Sequence, residues 1–131
     1  NLYFHGFVPH GELGRYYEKL DVLLAPYQRT VRPSSGSGDL SRWMSPLKLF
    51  EYMSAQKAIV SSDLPVLREV LDHKKNALLV EPDNLNEWVR AIKQLQSAEE
   101  RETLGQNARE DFERQYTWDA RVDHIQSESN L

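Results

Sequence analysis

The sequence has no cysteine, and that one absence removes a disulfide scaffold, a thiolate zinc site and a cysteine nucleophile together. It fits a reducing compartment. An excess of basic residues is missing as well, since 16 Lys and Arg stand against 20 Asp and Glu among 131 residues, a net charge of −4. Nucleic-acid binding needs a basic surface for phosphates, and a polybasic membrane anchor needs clustered cations, so the balance argues against both classes. No apolar run approaches the roughly 20 residues that a bilayer span requires. These residues carry no signal-peptide pattern, and since they begin at Asn1 without a methionine this says nothing of what lies upstream. A Gly-rich phosphate loop of the G-x-G-x-x-G kind is also absent. What remains, at 40% hydrophobic and 27% charged, is the composition of a single soluble globular domain.

Four short apolar runs alternate with segments of helical period: Leu2 to Phe7, Asp21 to Tyr27, Lys57 to Ser61 and Ala77 to Glu81. Their apolar residues are consecutive rather than alternating, as in strands covered on both faces, so the order predicts an α/β fold with a parallel sheet of about four strands flanked by helices. Leu13, Tyr16, Tyr17 and Leu20 follow the i, i+3, i+4, i+7 spacing of a helix that buries one face. Leu64, Leu67, Val70 and Leu71 predict a shorter helix before the fourth run. Right-handed crossovers limit how such strands can connect.

Beyond Pro82 the pattern is helical only. Leu85, Trp88, Val89, Ile92 and Leu95 mark one amphipathic helix, with Asp83 or Asn84 available to cap it. Leu104, Ala108, Phe112 and Tyr116 step by four along a second stripe, and Trp118, Val122 and Ile125 extend a third that frays into the polar tail ESN.

A loop from about Gln28 to Met44 contains the low-complexity stretch PSSGSGDL and carries Arg29, Arg32, Asp39 and Arg42. Such connections usually span about 2–6 residues, and longer ones tend to be functional. It ends at Ser45-Pro46, a helix start with Ser as N-cap and Pro at the first position, where its missing N–H costs nothing. The helix runs to about Ala55, and Leu47, Leu49, Phe50, Tyr52 and Met53 place apolar groups almost all round it, which predicts burial. Lys48 and Glu51 share one face. An intrahelical ion pair explains them blandly. Their location, after the carboxyl end of a strand, points instead to ligand binding. Free N–H groups at the helix start, the macrodipole, Lys48 and the loop arginines suit a phosphate. Glu51, one turn deeper, would repel an anion but can accept two hydroxyl hydrogens from a neutral diol. Diphosphate beside diol describes a nucleotide with its ribose.

The strings FHGFVPHGELGRYYEKLDVLLAPY, SPLKLFEYMSAQKAIVSSDLPVLREVL, NALLVEPDNLNEWVRAI, LGQNAR and YTWDAR, in that order, resemble the later part of the C-terminal, donor-binding domain of GT-B glycosyltransferases of family 4. The resemblance implies a partial Rossmann-like nucleotide-sugar-binding domain over residues 1–116 and a C-terminal helix and tail over 117–131. It implies a retaining glycosyltransferase that moves a sugar from a UDP-, GDP- or ADP-linked donor to a hydroxyl acceptor in glycan, polysaccharide or glycolipid biosynthesis. No metal and no cofactor beyond that substrate are implied, and an N-terminal acceptor domain completes the enzyme. The setting implied is cytoplasmic, with peripheral contact at the inner membrane face through the missing domain. By resemblance Glu51 matches the second glutamate of the Glu-x7-Glu motif, which holds the ribose hydroxyls. Ser45, Pro46, Leu47 and Lys48 match the stretch that meets the diphosphate, and Gly6, Phe7 and Val8 match the segment beside the base. Glu51 and Lys48 are the candidate catalytic residues.

One position departs from the pattern. The first motif glutamate falls at Trp43, so the resemblance carries no sugar contact there, and Asp39 in the same loop is the candidate for it. The family's upstream Arg and Lys pair and the His of the other domain have no counterparts in these residues. His5, His10, His73 and His124 show neither ligand spacing nor carboxylate companions, and read as core, surface or capping residues. Ser61-Ser62-Asp63 reads as a strand end and Asp83 as a cap. The opening NLYFHG is close to the protease-tag sequence ENLYFQG, but His5 departs from it and GFVPHGEL continues the family pattern, so it reads as native strand. A non-catalytic α/β nucleotide-binding or protein-interaction module is the alternative function. A phosphorelay receiver shares the α/β order but needs an acidic pair near the end of a first strand, which is missing.

Overall fold

The apolar run that begins at Lys57 becomes the middle of the sheet. In the computed structural model, which describes residues 2–30 and 47–129, β2 (Ala58–Ser62) lies between β1 (Val22–Ala25) and β3 (Leu78–Val80). Both pairings are parallel, with Leu23 opposite Ile59 and Ser61 opposite Leu79. Every β2 residue is buried, as expected for a strand covered on both faces.

Alternation along the strands sorts the side chains into two cores. Leu23, Ala25, Ile59 and Leu79 pack with Leu49, Tyr52 and Met53 of α2 (Leu47–Ser54) and with Ala108 of α4 (Ala98–Gln115). Ala58, Val60, Leu78 and Val80 meet Trp88 and Ala91 of α3 (Leu85–Gln94), and Leu95 just after it, on the other face. The result is a parallel α/β architecture with helices on both sides and a helical C-terminus ending in α5 (Trp118–Ser129). Among the described residues no helix is long and apolar enough to cross a membrane.

The helix starts follow capping chemistry. Asn84, not Asp83, caps α3: its side chain accepts from the Glu87 N–H at 3.3 Å, and the Glu87 carboxylate reaches back to the Glu81 N–H at 2.8 Å. Ser97 caps α4 through the Glu100 N–H. Behind the sheet, the buried Asn76 donates to Asp111 of α4 at 2.9 Å and to the Val70 carbonyl at 3.3 Å, while its oxygen accepts from the Asp72 N–H at 2.8 Å. Three partners satisfy a side-chain amide that would be costly to bury alone.

Several expectations are corrected. The sheet of the described residues has three strands, because Leu2–Phe7 forms none: its Leu2, Tyr3, Phe4 and Phe7 are largely exposed, Phe7 at 92%. A strand needs a partner edge, and apolar composition alone does not supply one. The stripe on α1 (Leu13–Glu18) is only half-covered, with Tyr16 and Leu20 exposed, since no described element packs on its outer side. On α3, Leu85, Val89 and Ile92 are exposed, and the row against the sheet is Trp88, Ala91 and Leu95. The short helix expected over Leu64–Leu71 is one 3-10 turn, Leu67–Glu69, closed by i to i+3 bonds such as Leu67 N–H to Leu64 at 3.0 Å. Finally, α2 is buried on one side only. Leu49 and Met53 face the sheet, while Leu47, about 200° away from Leu49 around a 3.6-residue turn, is 67% exposed. The stripe on α5 is open as well, with Trp118, Val122 and Ile125 all exposed.

A close backbone approach joins α4 to the turn after α2. A Cβ on Gly105 would lie 2.5 Å from the Gln56 carbonyl oxygen and 3.0 Å from its carbon, and Gln56 itself has φ of 56°. Gly105→Ala gains about 1 kcal/mol of helix propensity but forces backbone apart, an overpacking that costs about 1–3 kcal/mol, toward the upper end where the clash is with backbone. Urea unfolding should therefore show a net loss of stability for this variant, and a gain would contradict the packing described.

Candidate functional site

Glu51 sits half-buried on α2, and its two carboxylate oxygens face different partners. The Tyr17 hydroxyl of α1 donates to Oε2 at 3.1 Å, and His10 Nδ1 stands 3.6 Å from Oε1. His10 opens the 3-10 turn His10–Glu12 that leads into α1. Lys48 is exposed one turn earlier, and the pairing of Glu51 with Tyr17 and His10 leaves no Lys48–Glu51 ion pair among the described residues. The bland explanation of that helical stripe therefore does not apply.

Tyr17 is held in turn by Tyr52, whose ring meets it edge-on with centroids 5.6 Å apart at 79°. The Tyr52 hydroxyl donates to the Leu24 carbonyl of β1 at 3.4 Å. Burial first, then the hydrogen bond to Glu51 and the charge of that carboxylate, push the Tyr17 phenol up to about 12, so it remains a donor throughout the neutral range. Burial likewise raises Tyr52.

These groups line an open cleft of about 410 Å³, with His10, Gly14 and Tyr17 on one wall and Glu51 and Ser54 on the other. The cleft is lined by neither Lys48 nor the segment Gly6, Phe7, Val8. Gly6 takes a φ of 69°, a conformation glycine adopts without strain, and Val8 is half-buried just before the His10 turn. Leu47 and Lys48 form the exposed first turn of α2. Ser45, Pro46, Arg32, Asp39, Arg42 and Trp43 lie outside the described residues.

Arg29 is placed elsewhere, against Glu81 and Asp83 beyond β3, with its Nε donating to Asp83 at 3.0 Å. Ser62 donates to the Tyr27 carbonyl at 2.7 Å. Together they tie the segment leaving β1 to the carboxyl ends of β2 and β3, the edge where α/β sheets take ligands. Nearby, Arg68 grips Asp63 through two bonds of 2.5 and 2.6 Å and holds its carboxyl below the usual range. Among the described residues no group of three His, Asp or Glu side chains is arranged to hold a metal ion.

The sequence reading missed two members of the cluster. His10 does have a carboxylate companion, which corrects its reading as a histidine without one. Tyr17 was assigned to a core stripe, yet its hydroxyl serves a residue 34 positions away. No spacing rule links such distant residues; only the fold brings α1 beside α2. His73, in contrast, fills a capping role, with Nδ1 accepting from the Leu79 N–H at 3.0 Å.

A family model described as glycosyl transferases group 1 matches residues 1–98. The chain belongs to that family. This glycosyltransferase domain has a fold similar to a GT-B domain: sucrose-phosphate synthase from Thermosynechococcus elongatus superposes with a TM-score of 0.74 at 22% identity, over 98% of this chain. The chain spans 29% of the length of that structure. No curated protein sequence matches it.

The Tyr17–Glu51 bond in the glycosyltransferase domain has a pH signature. A phenol whose folded pKa lies above its unfolded value near 10 contributes stability that is intact below about pH 10 and is lost as pH rises through about 12. In Glu51→Gln the carboxylate contribution disappears while burial remains, so Tyr17 should titrate lower than in the wild type yet above 10. Ring-carbon NMR of labelled tyrosines measures this directly, and an unshifted Tyr17 in the variant would contradict the pairing.

Proposed function

We propose that the domain is the donor-binding part of a retaining glycosyltransferase that transfers a sugar from a nucleoside diphosphate sugar to a hydroxyl acceptor, in glycan, polysaccharide or glycolipid biosynthesis. The observation that carries this reading is the state of Glu51. Its carboxylate opens on a cleft at the helix following β1, is engaged by a neutral phenol, and has no ion pair with Lys48. An anionic acceptor engaged by a phenol hydroxyl and not by a lysine suits a ribose diol better than a phosphate.

In this reading Glu51 orients the ribose and moves no proton. Lys48, with the Ser45–Leu47 stretch and the free N–H groups of the first helical turn, faces the diphosphate. Charge grows on that diphosphate as the sugar departs, and donors fixed in advance stabilise it without reorganising, the electrostatic principle of an oxyanion hole. Gly6, Phe7 and Val8 sit beside the base. The acceptor is bound by another domain of the same protein, and the action is cytoplasmic, peripheral to the inner membrane face. Membership of the glycosyl transferases group 1 family supports transfer of a sugar in general.

The test uses the full-length protein. Hydrogen bonds to a charged group contribute about 1.5–3 kcal/mol, so Glu51→Ala should weaken binding of the preferred nucleoside diphosphate about tenfold or more in titration calorimetry. A titration indistinguishable from wild type would overturn the assignment.

A further inference from the structure

Glu51 has an arrangement that a ribose contact alone does not require. Its Oε2 is already occupied by Tyr17, and Tyr17 is itself immobilised by the ring of Tyr52, which hydrogen-bonds the backbone of β1. The chain of contacts therefore runs from the sheet to the carboxylate through two tyrosines. A glutamate on a helix has three rotatable bonds and loses appreciable rotamer entropy on being fixed. Here that loss is met before any ligand arrives.

Resting on the function proposed above, we infer that Tyr17 is a positioning residue for the nucleotide: it fixes the Glu51 carboxylate so that Oε1 and the remaining lone pairs face the cleft and read the ribose 2′- and 3′-hydroxyls. A carboxylate offers about four lone-pair sites, and Tyr17 uses one, which leaves enough for both hydroxyls. His10 borders the same oxygen, Oε1, from the opposite wall and limits where the ribose can enter. A bulkier or unanchored carboxylate partner would leave Glu51 to sample rotamers turned away from the cleft. Tyr17 thus acts on ribose recognition through Glu51, without touching the ligand's phosphates.

The experiment compares wild type, Tyr17→Phe, Glu51→Ala and the double variant in the full-length protein. The probes are whichever of UDP, GDP and ADP binds wild type most tightly and its 2′,3′-dideoxy counterpart, both measured by calorimetry. Tyr17→Phe should weaken the ribonucleotide about fivefold, as for loss of part of one charge-assisted hydrogen bond. It should leave the dideoxy compound unchanged and have no further effect in the Glu51→Ala background. Equal weakening of both probes, or no weakening of either, overturns the inference while leaving the role of Glu51 standing. If Glu51→Ala itself keeps full preference for the ribonucleotide, the underlying reading of the site falls too. Should Tyr17→Phe fail to fold, labelled-tyrosine NMR of the wild type decides: the Tyr17 ring resonance must shift with the ribonucleotide and not with the dideoxy compound, and equal responses overturn the inference.

Discussion

Everything in this domain hangs on a central strand with no solvent-facing side. β2 pairs with a neighbour along each edge and packs a helical layer against each face, so that Val60 and Ser61 have a strand partner on both sides while Ile59 and Val60 point into opposite cores. Burying side chains such as Ile59 and Val60 contributes about 1.5–3 kcal/mol each, and it does so only in the register that puts Ile59 toward α2 and Val60 toward α3. A slip of one residue would exchange the two cores. That constraint orients β1, against which Tyr52 of α2 docks.

The functional cluster inherits its geometry from this arrangement. Tyr52 touches β1, Tyr17 leans on Tyr52, and Glu51 is held by Tyr17. Polar groups at the carboxyl edge do the same for the departing chain, since buried Ser62 grips the Tyr27 carbonyl and Arg29 lies against two acids beyond β3. None of these contacts is large by itself. Their common feature is that each fixes a group whose freedom would otherwise blur the cleft.

Much of the layout was legible in the residues. The run AIVSS is consecutive because both faces are covered, VLLA has the same composition although Leu24 stays exposed, and the Asn84–Glu87 pair announces a helix start through its own hydrogen bonds. Glu51 stood out because a carboxylate on an apolar helix after a strand demands an explanation. What could not be read was anything requiring a partner from far along the chain. Leu2–Phe7 has strand composition but finds no edge; α3 shows a broad apolar face of which the sheet covers one row; and His10 and Tyr17 meet Glu51 through the docking of α1 on α2. Periodicity reports what a segment can bury, whereas pairing depends on which segments the fold makes neighbours.

The contact between Gly105 and Gln56 gives α4 a further role, as a backstop for α2. With no side chain between them, the two backbones touch, and Arg109 of the same helix holds the carbonyl of Ser54, a cleft residue. The position of Glu51 is thereby referenced to α4 as well as to Tyr17 in the cleft wall. Substitutions along α4 that never approach the cleft can accordingly shift the helix that carries Glu51.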